Sequence, residues 1–181
     1  MSPLSSVRIL DLSRLLPGPY ATQLLADLGA EVIKVETPRI GDYARMAPSE
    51  IGGDTMFQMI NRGKKSLSLN YRNRKGREIF LQLAEKADVI VETFKPGSVD
   101  KWGIGYEAVR QVNPGIVYCS ISGYGQNGPY RDRPGHDINY IAIGGLLGLT
   151  GEPGAIPSPP GIQTADLGAA CLLYTSDAAD E

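Results

Sequence analysis

Short aliphatic and β-branched runs alternate with helix-patterned segments along most of this 181-residue chain, and that alternation constrains its fold most. Residues 7–12, Val-Arg-Ile-Leu-Asp-Leu, read as a buried strand. Pro17-Gly18-Pro19 breaks the chain, and Tyr20, Leu24, Leu25 and Leu28 then recur at helical spacing. Gly29 is a natural helix stop, and residues 31–36 follow as a second strand. That completes one strand–helix–strand unit, a crossover that is right-handed in nearly all sheets.

The pattern repeats downstream. Residues 37–63 are polar, contain Gly and Pro and lack strong periodicity, so they read as a long loop of the kind that is functional or mobile. A strand is expected at 66–70 and a helix at 75–87 with Ile79, Phe80, Leu83 and Ala87 on one face. A third β-rich run at 88–94 ends at Lys95-Pro96-Gly97. A brief helix at 106–112 closes at Asn113-Pro114-Gly115 before another strand at 116–122. The fold class expected is α/β, a Rossmann-like open parallel sheet with helices on both faces.

Ligands of such sheets bind beyond the carboxyl ends of the strands. The segments there are Pro17-Gly18-Pro19, the stretch from Thr37, Asn70-Tyr71-Arg72, Thr93-Phe94-Lys95 and Gly123-Tyr124-Gly125. Several carry Lys or Arg, or glycines that expose backbone N–H groups, a suitable lining for a phosphate-bearing ligand. Gly123-Tyr124-Gly125-Gln126-Asn127-Gly128 matches the letters of a dinucleotide fingerprint but is followed by Pro129 and Pro134. That context predicts a loop where the fingerprint needs a helix N-terminus, so NAD or FAD binding is not expected.

Composition narrows the class further. The chain is about one domain long, with ordinary fractions of hydrophobic (42%) and charged (21%) residues. A net charge of −2 supplies no field for nucleic acid or an anionic membrane, so an anionic ligand must be held by local basic residues. No run approaches the roughly 20 apolar residues that span a bilayer. Cys119 and Cys171 show no metal or redox spacing, and no metal site is expected. The expectation is a soluble, cytoplasmic protein without a tightly bound cofactor.

One histidine is present, His136, in the run Gly135-His136-Asp137-Ile138-Asn139-Tyr140, and Asp166 follows in Thr164-Ala165-Asp166-Leu167-Gly168. Imidazole exchanges protons near neutral pH, so a histidine and a carboxylate, each beside a glycine or a neighbour of one, could form an acid/base pair. By itself a lone histidine opening an apolar helix more often caps or packs.

The motifs taken together resemble the class III CoA-transferase family (CaiB/BaiF type), which also contains the α-methylacyl-CoA racemases. The resemblance rests on Leu16-Pro17-Gly18-Pro19-Tyr20-Ala21, on Leu28-Gly29-Ala30-Glu31-Val32-Ile33-Lys34-Val35-Glu36 and on Asn61-Arg62-Gly63-Lys64-Lys65-Ser66. Phe94-Lys95-Pro96-Gly97, Gly103-Ile104-Gly105-Tyr106 and the segment from Ser122 to Pro129 complete it. It implies an enzyme of acyl-CoA thioesters, with coenzyme A entering as part of the substrate. By position, CoA contacts are implied for Leu69, Asn70, Tyr71, Arg72, Thr93, Phe94, Lys95 and Lys101. Contacts are likewise implied for Gly135, Asp137, Ile138, Asn139 and Tyr140. A phosphate-binding arginine common in the family is Thr37 here, and Arg39 is the candidate substitute. Lys101 stands where relatives often carry arginine, which keeps charge but loses the two-pronged fork.

The resemblance implies that Asp166 is the working carboxylate. In the racemase branch it shares proton transfer at C2 of a 2-methylacyl-CoA with the histidine of a Gly-His-Asp-Ile-Asn-Tyr segment, present here at 135–140. Epimerisation by His136 and Asp166 is therefore the leading expectation. In the transferase branch the same carboxylate attacks the thioester and carries CoA between carboxylic acids through an aspartyl-CoA intermediate. The longer stretch at 47–61, with Met56-Phe57-Gln58-Met59-Ile60, resembles that branch. A non-catalytic CoA-binding relative is the third reading.

Family members are about twice as long and dimerise by interlocking two chains, so residues 1–170 are expected to be the N-terminal part of the large CoA-binding domain. The implied architecture is a truncated half of an interlocked homodimer. Residues 171–181, Cys-Leu-Leu-Tyr-Thr-Ser-Asp-Ala-Ala-Asp-Glu, resemble a translated sequencing-library adapter and are expected not to be native.

Overall fold

Strand side chains alternate between two apolar layers, which fixes where the helices must lie. In the computed structural model, residues 2–46, 48 and 54–177 are described. Five parallel strands, β1 (Arg8–Asp11), β2 (Glu31–Glu36), β3 (Lys65–Ser68), β4 (Val89–Glu92) and β5 (Val117–Ser120), run in the order β3-β2-β1-β4-β5. Ile9, Val32, Val89 and Val91 join one buried cluster, whereas Leu10, Val35 and Ile90 join the other. Residues one apart thus face opposite layers, as the period of a strand requires. The α/β sheet expected from the alternation is what forms.

Helices α1 (Pro17–Asp27) and α7 (Thr164–Asp177) cover the first layer through Ala21, Leu25, Ala170 and Leu173. Between them in sequence lie α2 (Thr55–Ile60), α3 (Arg74–Ala84), α4 (Ser98–Trp102), α5 (Tyr106–Val109) and α6 (Asp137–Ile143). The second layer takes Phe80 and Ala84 of α3, Val99 of α4 and Val109 of α5. Asn73 starts α3 by accepting a hydrogen bond from the Gly76 N–H at 2.7 Å, the usual task of an N-cap asparagine.

Several element boundaries differ from the sequence expectation. Helix α1 opens at Pro17, because proline's missing N–H is an orphan in a first turn anyway. The stretch 37–63 is not uniformly irregular: it holds a 3-10 turn at Tyr43–Met46 and helix α2. Helix α4 is an addition, bounded by Gly97 and Gly103 in left-handed backbone (φ 80 and 71). The run after β5 forms turns and no helix before α6, as the two prolines foretold. Cys171–Asp177 continues α7, and residues 178–181 of the proposed adapter tail lie outside the described residues.

Candidate active site

Strands are added outward on one side from β1 to β3 and on the other from β4 to β5, so the sheet reverses direction between β1 and β4. Chains leaving adjacent strands part at such a reversal and leave a crevice at their carboxyl ends. Here the Arg14 N–H donates to Thr93 Oγ1 at 3.0 Å at the base of that parting. A cleft of about 710 Å³ opens there, lined by residues that follow β1, β2, β4 and β5 and by α6 and α7.

A buried ion cluster holds the segment after β1. Asp11 and Lys34 face each other across β1 and β2, and both are almost fully buried. Asp11 Oδ2 lies 3.0 Å from Lys64 Nζ and accepts from Thr22 Oγ1 at 2.7 Å. Lys34 Nζ sits 3.0 Å from Asp42 and donates to the Ser13 carbonyl at 3.0 Å. Asp11 Oδ1 accepts from the Ser13 N–H, and Asp42 Oδ1 from the Leu15 N–H. Both backbone groups of Ser13 and the Leu15 N–H, on either side of Arg14, are thereby tied to charges. Burial alone would raise the Asp11 pKa, but Lys34, Lys64 and two hydroxyls hold it far below the usual carboxylate range. Burial pushes Lys64 down to about 8, against the pull of Asp11.

Leu15 completes the turn in left-handed backbone (φ 63), a conformation costing a non-glycine residue about 1–2 kcal/mol. Close approach makes Gly18 necessary, since a Cβ there would collide with the Ser13 side chain. On the opposite wall, Glu36 binds Arg45 with both oxygens at 2.8 Å and accepts the Asp42 N–H, anchoring the turn that carries Tyr43.

Asp137 joins α6 to α7. Its buried carboxylate accepts from the backbone N–H groups of Ala165 (2.6 Å) and Asp166 (3.1 Å), capping the first turn of α7 from another helix. His136 occupies the N-cap position of α6, and its N–H donates to Asn139 Oδ1 at 2.9 Å. His136 also lines the cleft with Asp166. The Tyr140 hydroxyl donates to the Gly135 carbonyl at 2.6 Å, and its ring fills the space that a side chain on Gly123 would need. Asp166 is half-buried. Burial and the Asp137 charge raise its pKa, and His136 offsets part of that.

The sequence-derived site residues separate into groups. Asp166, His136, Thr93, Phe94, Lys95, Gly135 and Tyr140 line one cleft. Leu69 and Tyr71 belong to the buried core, although the Tyr71 hydroxyl accepts from Arg14 Nη2 at 3.5 Å. Asn70 folds back on the Arg72 N–H, and the Arg72 guanidinium lies 4.6 Å from the centre of the Trp102 ring. Arg39, Lys101, Ile138 and Asn139 are exposed and do not line the cleft, and Asp137 acts as the cap of α7. Tyr124, in a segment expected at a strand end, lines it too, whereas Arg14, Tyr43, Arg131 and Arg133 line it without having been singled out from sequence. Their signal was position: each follows a strand end, where only the neighbouring glycines and prolines drew notice.

The family model for CoA-transferase family III matches residues 4–179. The succinyl-CoA:glutarate CoA-transferase of Homo sapiens is 44% identical over 96% of this chain and 40% of its own length. The succinyl-CoA:mesaconate CoA-transferase of Haloarcula marismortui is 42% identical over 95% of this chain and 46% of its own. Among solved structures, a CaiB/BaiF family protein from Brucella suis superposes with a TM-score of 0.93 at 38% identity, covering 98% of this chain and 48% of that one. The chain belongs to CoA-transferase family III. It spans less than half the length of these relatives. Among the described residues no helix is long and apolar enough to cross a membrane.

Proposed function

We propose that this chain forms part of a CoA transferase that moves CoA between carboxylic acids, with Asp166 as the nucleophile. One observation carries the reading: Asp166 stands half-buried on the first turn of α7, facing the cleft at the reversal point of the sheet. A carboxylate with less water around it than usual is a readier nucleophile toward a thioester carbonyl. The names of the relatives support transfer, where the sequence alone had ranked C2 epimerisation first. They also point to short dicarboxylic acids as acyl groups.

In this scheme an Asp166 oxygen attacks the donor thioester carbonyl, and the carbon–sulfur bond breaks to give an acyl-aspartyl anhydride and CoA thiolate. The thiolate attacks the aspartyl carbonyl, releasing the first acid as its carboxylate and leaving aspartyl-CoA. An acceptor carboxylate then reverses both steps. The Asp137 cap keeps Asp166 fixed through two backbone bonds, so little reorganisation is needed between steps.

Incubating the intact gene product with succinyl-CoA and adding hydroxylamine is expected to convert Asp166 to a hydroxamate and stop turnover. His136 beside Asp166 favours the second reading, proton exchange at C2. Deuterium entering C2 of a 2-methylacyl-CoA in heavy water, with no CoA passing to added acids, would favour it and overturn transfer.

Asp137 supplies a pH test. Its charge raises the Asp166 pKa, and the ionised form attacks, so Asp137→Asn is expected to move the acidic limb of turnover to lower pH. Asparagine keeps an acceptor oxygen for the Ala165 and Asp166 N–H groups. A pH–rate profile whose limb stays in place would contradict this role.

A further inference from the structure

Arg14 stands apart from the other arginines of this chain. Arg8, Arg45, Arg62, Arg74, Arg110 and Arg131 each pair with a carboxylate. Of those that do not among the described residues, Arg39, Arg72, Arg77 and Arg133 are exposed, whereas Arg14 is half-buried in the wall of the cleft. Its guanidinium lies 4.9 Å from the centre of the Phe94 ring and 5.2 Å from that of Tyr43. Two of its donors meet the hydroxyls of Tyr43 (3.3 Å) and Tyr71 (3.5 Å), long contacts with neutral acceptors.

Removing a guanidinium from water without an anion is unfavourable, and arginine matches carboxylate and phosphate geometry with its fork. The backbone on both sides is fixed as well. Ser13 is held by Asp11 and Lys34, Leu15 by Asp42, and Arg14 itself by Thr93. A cation held rigidly between aromatic faces, in the cleft that contains Asp166, is prepared for an anion that arrives with the substrate.

We propose that Arg14 is an anion clamp of the cleft, binding a carboxylate or phosphate oxygen of the acyl-CoA substrate. The inference rests on the acyl-CoA reading of the site. Its anion has two possible sources: the distal carboxylate of a dicarboxylic acyl group, which would make Arg14 a determinant of acyl specificity, or a phosphate of CoA itself.

The test is direct binding. CoA, butyryl-CoA and succinyl-CoA are titrated by calorimetry into the intact gene product carrying Asp166→Asn, so that turnover does not consume the ligand, with and without Arg14→Gln. A clamp on the acyl carboxylate is expected to weaken succinyl-CoA at least tenfold and leave the other two unchanged. A clamp on a CoA phosphate is expected to weaken all three equally, again at least tenfold. Affinities within twofold for all three in a variant with the parent's circular dichroism overturn the proposal. Should Arg14→Gln lose that signature, Arg14→Lys is measured instead. It keeps the charge but not the fork, so a loss of threefold or more in either pattern is expected, and unchanged affinities overturn the clamp. Failure of the transferase reading shows elsewhere, as absence of label exchange between succinate and succinyl-CoA in the parent protein.

Discussion

Asp166→Asn is expected to reduce CoA transfer by at least about 10³-fold, because losing the nucleophile removes both covalent intermediates at once. The amide has nearly the same shape, and the cap that Asp137 places on α7 binds backbone, not this side chain. Thermal unfolding and CoA affinity should therefore stay close to the parent values. The loss belongs in turnover, together with disappearance of the hydroxylamine-trapped adduct. His136→Gln gives the contrasting result. Under transfer chemistry it should lower the rate far less than Asp166→Asn, whereas under C2 proton exchange both variants should be comparably inactive. Residual transfer by Asp166→Asn within tenfold of the parent would remove this carboxylate from the mechanism.

Asp11→Ala is expected to destabilise the fold by roughly 3–5 kcal/mol, the cost of leaving buried charges without their partner. Two ammonium groups, Lys34 and Lys64, converge on this carboxylate, and both lose it together. Thr22 and Ser13 lose an acceptor as well. Urea unfolding of the intact protein measures the change, and a shift under 1 kcal/mol would show that the cluster relaxes or admits water. Acid gives an independent reading. The Asp11 pKa in the folded state lies below its unfolded value, so its contribution is complete above the ordinary carboxylate range. It is lost only as the pH falls from there toward the depressed folded value.

The strands were legible because a parallel sheet covered on both faces demands nearly continuous apolar runs, and those runs stand out in any order of reading. Helix starts were less so: the prolines at 17 and 19 look like breakers, yet in a first turn they are compatible with α1. Thr93, Phe94, Lys95 and Gly123 line the cleft at the strand ends to which the carboxyl-end rule pointed. His136 and Asp166 could be paired from their chemistry, but their separate roles came only through the resemblance, since nothing local in α6 announces a carboxylate that caps α7. The ion cluster was invisible for a related reason. Asp11 and Lys34 interrupt apolar strands, as solvent-facing residues also do, and Lys64 reaches Asp11 from 53 positions away. Arg14 was hidden the same way, its environment being built from Tyr43, Tyr71 and Phe94 of three different segments. Which reaction the family site performs was ranked differently by sequence than by the names of the relatives.

The central position of β1 also sets an order of events during synthesis. Of the five described strands it is made before the others, yet its neighbours in the finished sheet are β2 and β4, and the β4 side is reached only some 80 residues later. At roughly 5–20 residues per second, a ribosome leaves that side of β1 without its partner for about 4–16 s. During that interval Ile9 and Leu10, almost fully buried in the folded protein, belong to an open strand edge that any other nascent chain could extend. Slow, long-range pairing of this kind makes translation speed and chaperone supply, more than final stability, the determinants of how much protein reaches the folded state.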